Sequence, residues 1–371
     1  MRKIRVLVVD DSTVIRRLLS DALNADPAIE VAATAANGKI ALAKIPQINP
    51  DIITLDMEMP EMDGLTTLTE LRKLYPKLPV IMFSTLTQRG AQSTLEALAR
   101  GANDYVTKPA NVGSVNAAIQ NVQNELLPKI KMFCPGIATK PAPIAKPVLG
   151  VNRLSGYAAP NSLTPAKPSR IDMVVIGSST GGPNALSAVL PRIPADFPVP
   201  ILIVQHMPPI FTAHLAERLN QQSKIHVHEA ADGDIIEPGG AWVAPGDFHM
   251  TIRRQGTQLK ASLNKETPEN SCRPAVDVLF RSAAQMFGAN TLAVVLTGMG
   301  HDGQRGCGVI RDAGGRILVQ DEATSVVWGM PGSVANAGLA HQVVPLSRIA
   351  DEILLHIQVG RTARSFAKAG T

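Results

Sequence analysis

Gly177-Ser178-Ser179-Thr180-Gly181 fits the pattern G-x-S-x-G, between an apolar run over 173–176 and a helical pattern over 184–190. Small residues there let a chain turn sharply and leave the central serine exposed at a helix N-terminus, the setting of a nucleophile. An ordinary glycine-rich turn or an anion-binding loop would carry the same letters. Ser179 holds the central position, and Ser178 reads as a small packing residue. A serine needs a base, and the base needs an orienting acid. His206 follows the apolar run 201–204, and Asp302 follows the run 291–296. All three candidates sit just beyond the carboxyl ends of apolar runs, so one crevice could hold them. The other histidines fit less well: His214 lies in a helical pattern, His226, His228 and His249 in a turn-rich stretch, and His341 and His356 near peripheral elements. His301 is a rival base only if Asp302 has another job. Backbone N–H groups near the elbow, Thr180 first and Met299 facing it from a glycine-rich loop, could stabilise an oxyanion. The chain order Ser, His, Asp sets this arrangement apart from the α/β-hydrolases, which run Ser, Asp/Glu, His.

A second constellation lies upstream. Asp10 and Asp11 end the first apolar run, Asp56 the third, Ser84 the fourth, and Lys108 the fifth. In a parallel sheet these ends share one edge, where open α/β folds place their sites. One such acid could simply cap a helix; five strand ends of these types together point to a site. Three converging carboxylates repel each other unless a hard cation sits between them, and Mg²⁺ accepts such ligands while keeping room for phosphate oxygens. An acyl phosphate on Asp56 would use that metal and the Lys108 ammonium to neutralise its charge.

The elements that must position these residues alternate strand and helix twice over. Strands are expected at 4–9, 29–33, 52–55, 80–83 and 104–106, with helices starting near Ser12, Gly38, Gly64, Gln88 and Asn111. A second series has strands at 173–176, 201–204, 241–244, 291–296, 317–319 and 342–345. The turn-rich stretch 225–263 is expected to form a β-hairpin insertion. The fold class is therefore α/β, two doubly wound parallel-sheet domains, the first flavodoxin-like and the second Rossmann-like. The expected limits are 1–127, a Pro/Lys-rich linker over 128–170, 171–358, and a basic tail over 359–371. Proline at the linker's density argues against helix or central strand.

The charge pattern narrows the partners. The chain is +5 overall, but 128–170 carries seven Lys/Arg and no Asp/Glu, and the tail adds three Arg/Lys, leaving the rest at −5. Mildly acidic folded parts argue against nucleic-acid binding. No apolar run spans a bilayer, and the start is too short in apolar residues for a signal peptide. Three unpatterned cysteines fit a reducing cytoplasm.

Val8-Val9-Asp10-Asp11-Ser12, the run Leu55-Asp56-Met57-Glu58-Met59-Pro60, and Tyr105-Val106-Thr107-Lys108-Pro109 resemble the response-regulator receiver family over about residues 3–125. The resemblance implies Asp56 as phospho-acceptor, Asp10 and Asp11 as Mg²⁺ ligands, Lys108 as phosphate partner, Ser84 as switch hydroxyl and Tyr105 as switch aromatic. A chemotaxis histidine kinase would be the donor. Ile176-Gly177-Ser178-Ser179-Thr180-Gly181-Gly182-Pro183, Val204-Gln205-His206-Met207-Pro208, Cys272-Arg273-Pro274-Ala275-Val276-Asp277 and Leu296-Thr297-Gly298-Met299-Gly300-His301-Asp302-Gly303 resemble the chemotaxis protein-glutamate methylesterase family over about 171–357. Ser178 stands where that family usually has alanine. This resemblance implies Ser179 as nucleophile, His206 as general base and Asp302 as its orienter. The substrate would be a glutamyl γ-methyl ester on a methyl-accepting chemoreceptor, with glutamine deamidation beside it and no cofactor for the esterase step.

Two other classes compete on letters alone. Gly298-x-Gly300-x-x-Gly303 with Asp321 downstream matches a dinucleotide fingerprint, but leaves Ser179 and His206 unexplained. A receiver joined to a DNA-binding output lacks a helix-turn-helix-like segment here.

Overall fold

The computed structural model describes residues 2–108, 115–137, 170–359 and 361. The first unit runs β1 (Ile4–Val9), α1 (Thr13–Asn24), β2 (Ile29–Ala35), α2 (Gly38–Ile48), β3 (Ile52–Asp56), α3 (Gly64–Leu74), β4 (Val80–Ser84), α4 (Gln88–Ala99), β5 (Asp104–Thr107) and α5 (Val115–Phe133). Its five strands form one parallel sheet in the order β2-β1-β3-β4-β5. Strands β3 and β4 are buried at every position, as continuous apolar runs covered on both faces must be. The first four helices each start on a side-chain cap: Ser12, Asn37, Asp63 and Thr87 each accept a backbone N–H from the first turn.

Helix α5 corrects the expected domain limit. It continues through Pro128 to Phe133, so the linker does not begin at Pro128. Proline costs the helix one hydrogen bond, but Leu126, Ile130 and Cys134 lie buried against the sheet. That apolar face outweighs the local penalty. The helix start expected near Asn111, most of the linker (138–169) and most of the tail (360 and 362–371) lie outside the described residues.

The second unit runs β6 (Met173–Ser178), α6 (Gly182–Val189), β7 (Ile201–Gln205), α7 (Phe211–Gln222), β8 (His226–Glu229), β9 (Gly240–Val243), β10 (His249–Gln255), β11 (Gln258–Asn264), α8 (Val276–Phe287), β12 (Thr291–Val295), α9 (Gln304–Asp312), β13 (Arg316–Gln320), α10 (Met330–Asn336), β14 (Gln342–Val344) and α11 (Leu346–Gln358). Seven strands form a parallel sheet in the order β14-β13-β12-β6-β7-β9-β8. From β6 the sheet grows on one side through β7, with β9 set between β7 and β8, and on the other side through β12, β13 and β14. This is the switch point at which open α/β sheets hold their sites.

The hairpin expectation holds for only half of its stretch. β10 and β11 pair antiparallel from His249↔Asn264 to Gln255↔Gln258, whereas β8 and β9 join the main sheet in parallel. Between β9 and β10, Pro245-Gly246 reads as a hairpin turn but joins no antiparallel pair. Gly246 instead lets the chain pass against Pro208 and Pro209, where a Cβ would come within 2.2 Å of the Pro209 nitrogen.

The two units touch. Helix α4 packs on α6 and α7. Asn184 Nδ2 donates to the Leu98 carbonyl at 2.8 Å, and Arg218 donates to the Leu95 carbonyl at 2.8 Å. The Tyr105 ring stacks on Phe211, centroids 5.0 Å apart and planes 8° from parallel.

Candidate active site

Three adjacent strands of the second sheet deliver the three expected residues. Ser179 follows β6, His206 follows β7, and Asp302 lies on the loop between β12 and α9. The central turn is tight. The Ser179 N–H donates to the Thr297 carbonyl at 3.1 Å, and Gly181 takes φ +79° to start α6. Gly298 approaches so closely that a Cβ would meet the Ser179 Cβ at 2.8 Å.

Behind the serine, Ser178 is fully buried and donates to Gln205 Oε1 at 2.7 Å. Gln205 Nε2 in turn donates to the Ser179 carbonyl at 2.9 Å. The second hydroxyl therefore faces away from the cleft and fixes the amide that ties the β6 turn to the β7 turn.

His206 Nε2 lies 2.8 Å from Asp302 Oδ2. Its Nδ1 lies 3.6 Å from Cys272 Sγ. Asp302 is 2 % exposed, yet its oxygens are fully engaged. They accept N–H bonds from Val276 (2.7 Å), Asp277 (3.0 Å) and Gly303 (3.0 Å), and from Asn270 Nδ2 (2.8 Å). Burial alone would raise the Asp302 pKa. The His206 bond and charge, with the backbone N–H donors, overcome it and hold the carboxyl down at about 2. Burial pulls His206 down, but the Asp302 bond and the Cys272 contact outweigh it and lift the imidazole to about 10. An ionised Asp302 is an acceptor only, so Nε2 keeps its proton and Nδ1 is the nitrogen that gives up and takes back the second one.

Ser179, His206, Cys272 and Met299 line a cleft of about 730 Å³, and the first unit's Tyr105 and Lys129 line its other wall. Thr180 is 6 % exposed and its hydroxyl donates to Asp104 Oδ2 of the first unit at 2.8 Å. Met299 stands at the rim, 36 % exposed. His301 is exposed to solvent and takes no part in the His206–Asp302 pair. The dinucleotide alternative fails on geometry: the Gly298-to-Gly303 loop holds Asp302 for His206, and Asp321 caps the turn at Thr324.

In the first unit, Asp10, Asp11 and Asp56 bring carboxylate oxygens within 4.8 Å of one another. Lys108 Nζ bridges Asp10 (2.9 Å) and Asp56 (2.8 Å). Burial raises Asp56, Lys108 opposes, and the Asp10 charge adds to the rise, for a value of about 6. Ser84 is fully buried and donates to the Gly90 carbonyl of α4 at 3.2 Å. Tyr105 does not face solvent but the Phe211 ring.

Sequence reasoning missed Asn270, Cys272, Asp277, Gln205 and Asp104. Gln205, Cys272 and Asp277 stood inside noticed segments without a role. Asn270 gave no signal, because what marks it is a φ of +52°.

Two family models match the chain: the response regulator receiver domain over residues 6–120 and CheB methylesterase over 174–353. A protein-glutamate methylesterase/protein-glutamine glutaminase of Trichodesmium erythraeum (strain IMS101) is 53% identical over 357 residues, covering 96% of this chain and 100% of the relative. A protein of the same description from Nocardioides sp. (strain ATCC BAA-499 / JS614) is 50% identical, covering 100% and 99%. Among solved structures, the Thermotoga maritima CheB methylesterase catalytic domain is 43% identical, covers 51% of this chain and 99% of that chain, and superposes with a TM-score of 0.49. The chain belongs to the protein-glutamate methylesterase/protein-glutamine glutaminase family, with a response regulator receiver domain ahead of a CheB methylesterase domain.

Proposed function

We propose that the chain is a phosphorylation-activated serine esterase that hydrolyses glutamyl γ-methyl esters on methyl-accepting chemoreceptors and deamidates receptor glutamines. The observation that carries this reading is the convergence of Ser179, the His206–Asp302 pair and the glycine-rich 298–303 loop at the ends of three neighbouring strands. In this reading Ser179 Oγ attacks the γ-carbonyl carbon and His206 Nδ1 takes its proton. The Thr180 and Met299 N–H groups, which meet no protein acceptor among the described residues, stabilise the oxyanion. The tetrahedral adduct collapses to an acyl-serine as the His206 imidazolium gives its proton to the departing methoxide oxygen, releasing methanol, or to the departing amide nitrogen of glutamine, releasing ammonia. Water then attacks the acyl carbon, His206 accepts its proton and returns it to Ser179, and glutamate leaves.

The receiver's part is control. Asp56 is the proposed phospho-acceptor, fed by a chemotaxis histidine kinase. Asp10, Asp11 and Asp56 form the hard oxygen set that would hold Mg²⁺, and the electrostatics fit: three acids converge there with a single bridging lysine. Bound there, Mg²⁺ would neutralise phosphoryl charge. Ser84 bonds α4, α4 packs on the esterase, and Tyr105 stacks on Phe211 over the cleft mouth. A shift of Ser84 and Tyr105 towards the phosphoryl group would release both contacts and open the cleft. The receiver so defined extends through α5, with the linker after it. A cytoplasmic site is in keeping with three free cysteines; among the described residues no helix is long and apolar enough to cross a membrane.

The test is mass spectrometry of a methylated receptor fragment after incubation with the chain, a small phosphodonor and Mg²⁺. Loss of methyl groups and conversion of glutamine to glutamate are expected. An unchanged fragment contradicts the reading.

A further inference from the structure

The loop before α8 carries an unusual arrangement. Asn270 and Ser271 both take left-handed backbone angles, φ +52° and +62°, which cost non-glycine residues energy unless the surroundings hold them. What holds this loop is a two-pronged pair: Arg281 donates to both oxygens of Glu269 at 2.7 and 2.6 Å. Backbone bonds between Glu269 and Cys272 close the turn. The strained turn points the Asn270 amide inward. Its Nδ2 donates to Asp302 Oδ1 at 2.8 Å and to Asp277 Oδ2 at 2.9 Å.

Both acids are buried, Asp277 at 0 % and Asp302 at 2 % exposure. Asp277 Oδ1 accepts from the Gly306 N–H at 2.7 Å, and its own N–H donates to Asp302 Oδ1. Two buried carboxylates this close repel unless donors stand between them. Among the described residues, Asn270 is the side chain that bonds both.

We infer that Asn270 is a positioning residue of the esterase: its amide clamps Asp302 between Asp277 and His206, so that Oδ2 stays aimed at the imidazole. This rests on the proposed roles of His206 and Asp302. The argument is one of geometry and charge. Each N–H donated to Asp302 disperses its negative charge, which weakens its hold on the His206 proton. The other charged or titratable groups facing this cluster among the described residues are Cys272 on His206, the buried Cys307 thiol of α9 beside Asp277, and Glu269, Arg281 and Arg305 around Asp277 and Asp302. None of those side chains donates to Asp302. Remove the amide, and the undispersed charge of Asp302 holds the imidazolium more tightly.

Two variants separate clamp from scaffold. Asn270→Gly keeps the left-handed turn without strain but lacks the amide. Asn270→Asp keeps shape and tolerates the angle, but replaces donor with acceptor beside two acids. Titration of the His206 ring protons by NMR in the full chain is expected to move to higher pH in Asn270→Gly and further in Asn270→Asp. In methanol release with phosphodonor and Mg²⁺, both are expected to lower kcat at least tenfold with little change in KM, and to shift the acid limb of the rate profile upward. An unmoved His206 titration in both folded variants overturns the clamp. Methanol release by the wild-type chain, read separately, judges the esterase assignment, so failure of one is not mistaken for failure of the other.

Discussion

Arg218 lies on α7 of the esterase unit and donates to the Leu95 carbonyl of the receiver's α4 at 2.8 Å. Replacing it with alanine should loosen the docked receiver without touching the cleft. A hydrogen bond from a charged donor contributes about 1.5–3 kcal/mol. Arg218 is half-buried, and the Leu95 carbonyl keeps its partner within the helix, so its loss leaves no orphan acceptor. The lower end, about 1.5 kcal/mol, therefore applies, which is slightly more than tenfold in an equilibrium. If the undocked population carries the basal rate, Arg218→Ala raises methanol release without phosphodonor about tenfold, up to the ceiling set by the phosphorylated wild type. The assay compares both proteins on one methylated receptor fragment, with and without donor, after circular dichroism has shown both folded. A basal rate within twofold of wild type would refute the view that α4 docking holds the cleft shut.

Further outcomes follow from the same geometry. Asp56→Asn should abolish stimulation by phosphodonor and leave basal hydrolysis intact; retained stimulation would place the acceptor elsewhere. Asp302→Asn should lower kcat by about four orders of magnitude, as removal of the orienting acid does in the Ser-His-Asp template. The pair also sets a pH window. Asp302, held at about 2, contributes stability above the unfolded value near 4 that is lost as pH falls towards 2; His206, lifted to about 10, contributes below about 6.5 and loses it as pH rises towards 10. Chemical denaturation should thus show the largest gap between wild type and Asp302→Asn between about pH 4 and 6.5. Cys134 and Cys307 are buried, whereas Cys272 is half-exposed beside His206. A bulky thiol reagent should label Cys272 first and inhibit in step with labelling; full labelling with full activity would contradict the cleft geometry.

Most of the frame was legible in the sequence because doubly covered parallel strands are unbroken apolar runs. β1 emerged with its ends as read, and the others within a few residues. The placing of Asp10, Asp56, Ser179, His206 and Asp302 was legible for the same reason, since each closes a strand or lies in its following loop and a switch point puts strand ends together. Local rules failed where tertiary packing overrode them. Pro128 reads as a helix breaker but sits inside α5, because Ile130 beyond it is needed in the core. Pro245-Gly246 reads as a hairpin turn, but the glycine serves a close passage by Pro208 and Pro209. The roles of Asn270 and Gln205 were illegible because they lie in where one amide points. The docking of Tyr105 on Phe211 joins residues more than a hundred positions apart, which no local pattern encodes.

The most direct measurement is methanol release from a glutamyl-methylated receptor fragment by the wild-type chain, Ser179→Ala and Ser178→Ala, each with phosphodonor and Mg²⁺. Methanol is expected from wild type and from Ser178→Ala, whose hydroxyl faces Gln205, and none above background from Ser179→Ala. Methanol persisting in Ser179→Ala, or none from wild type, would contradict the account.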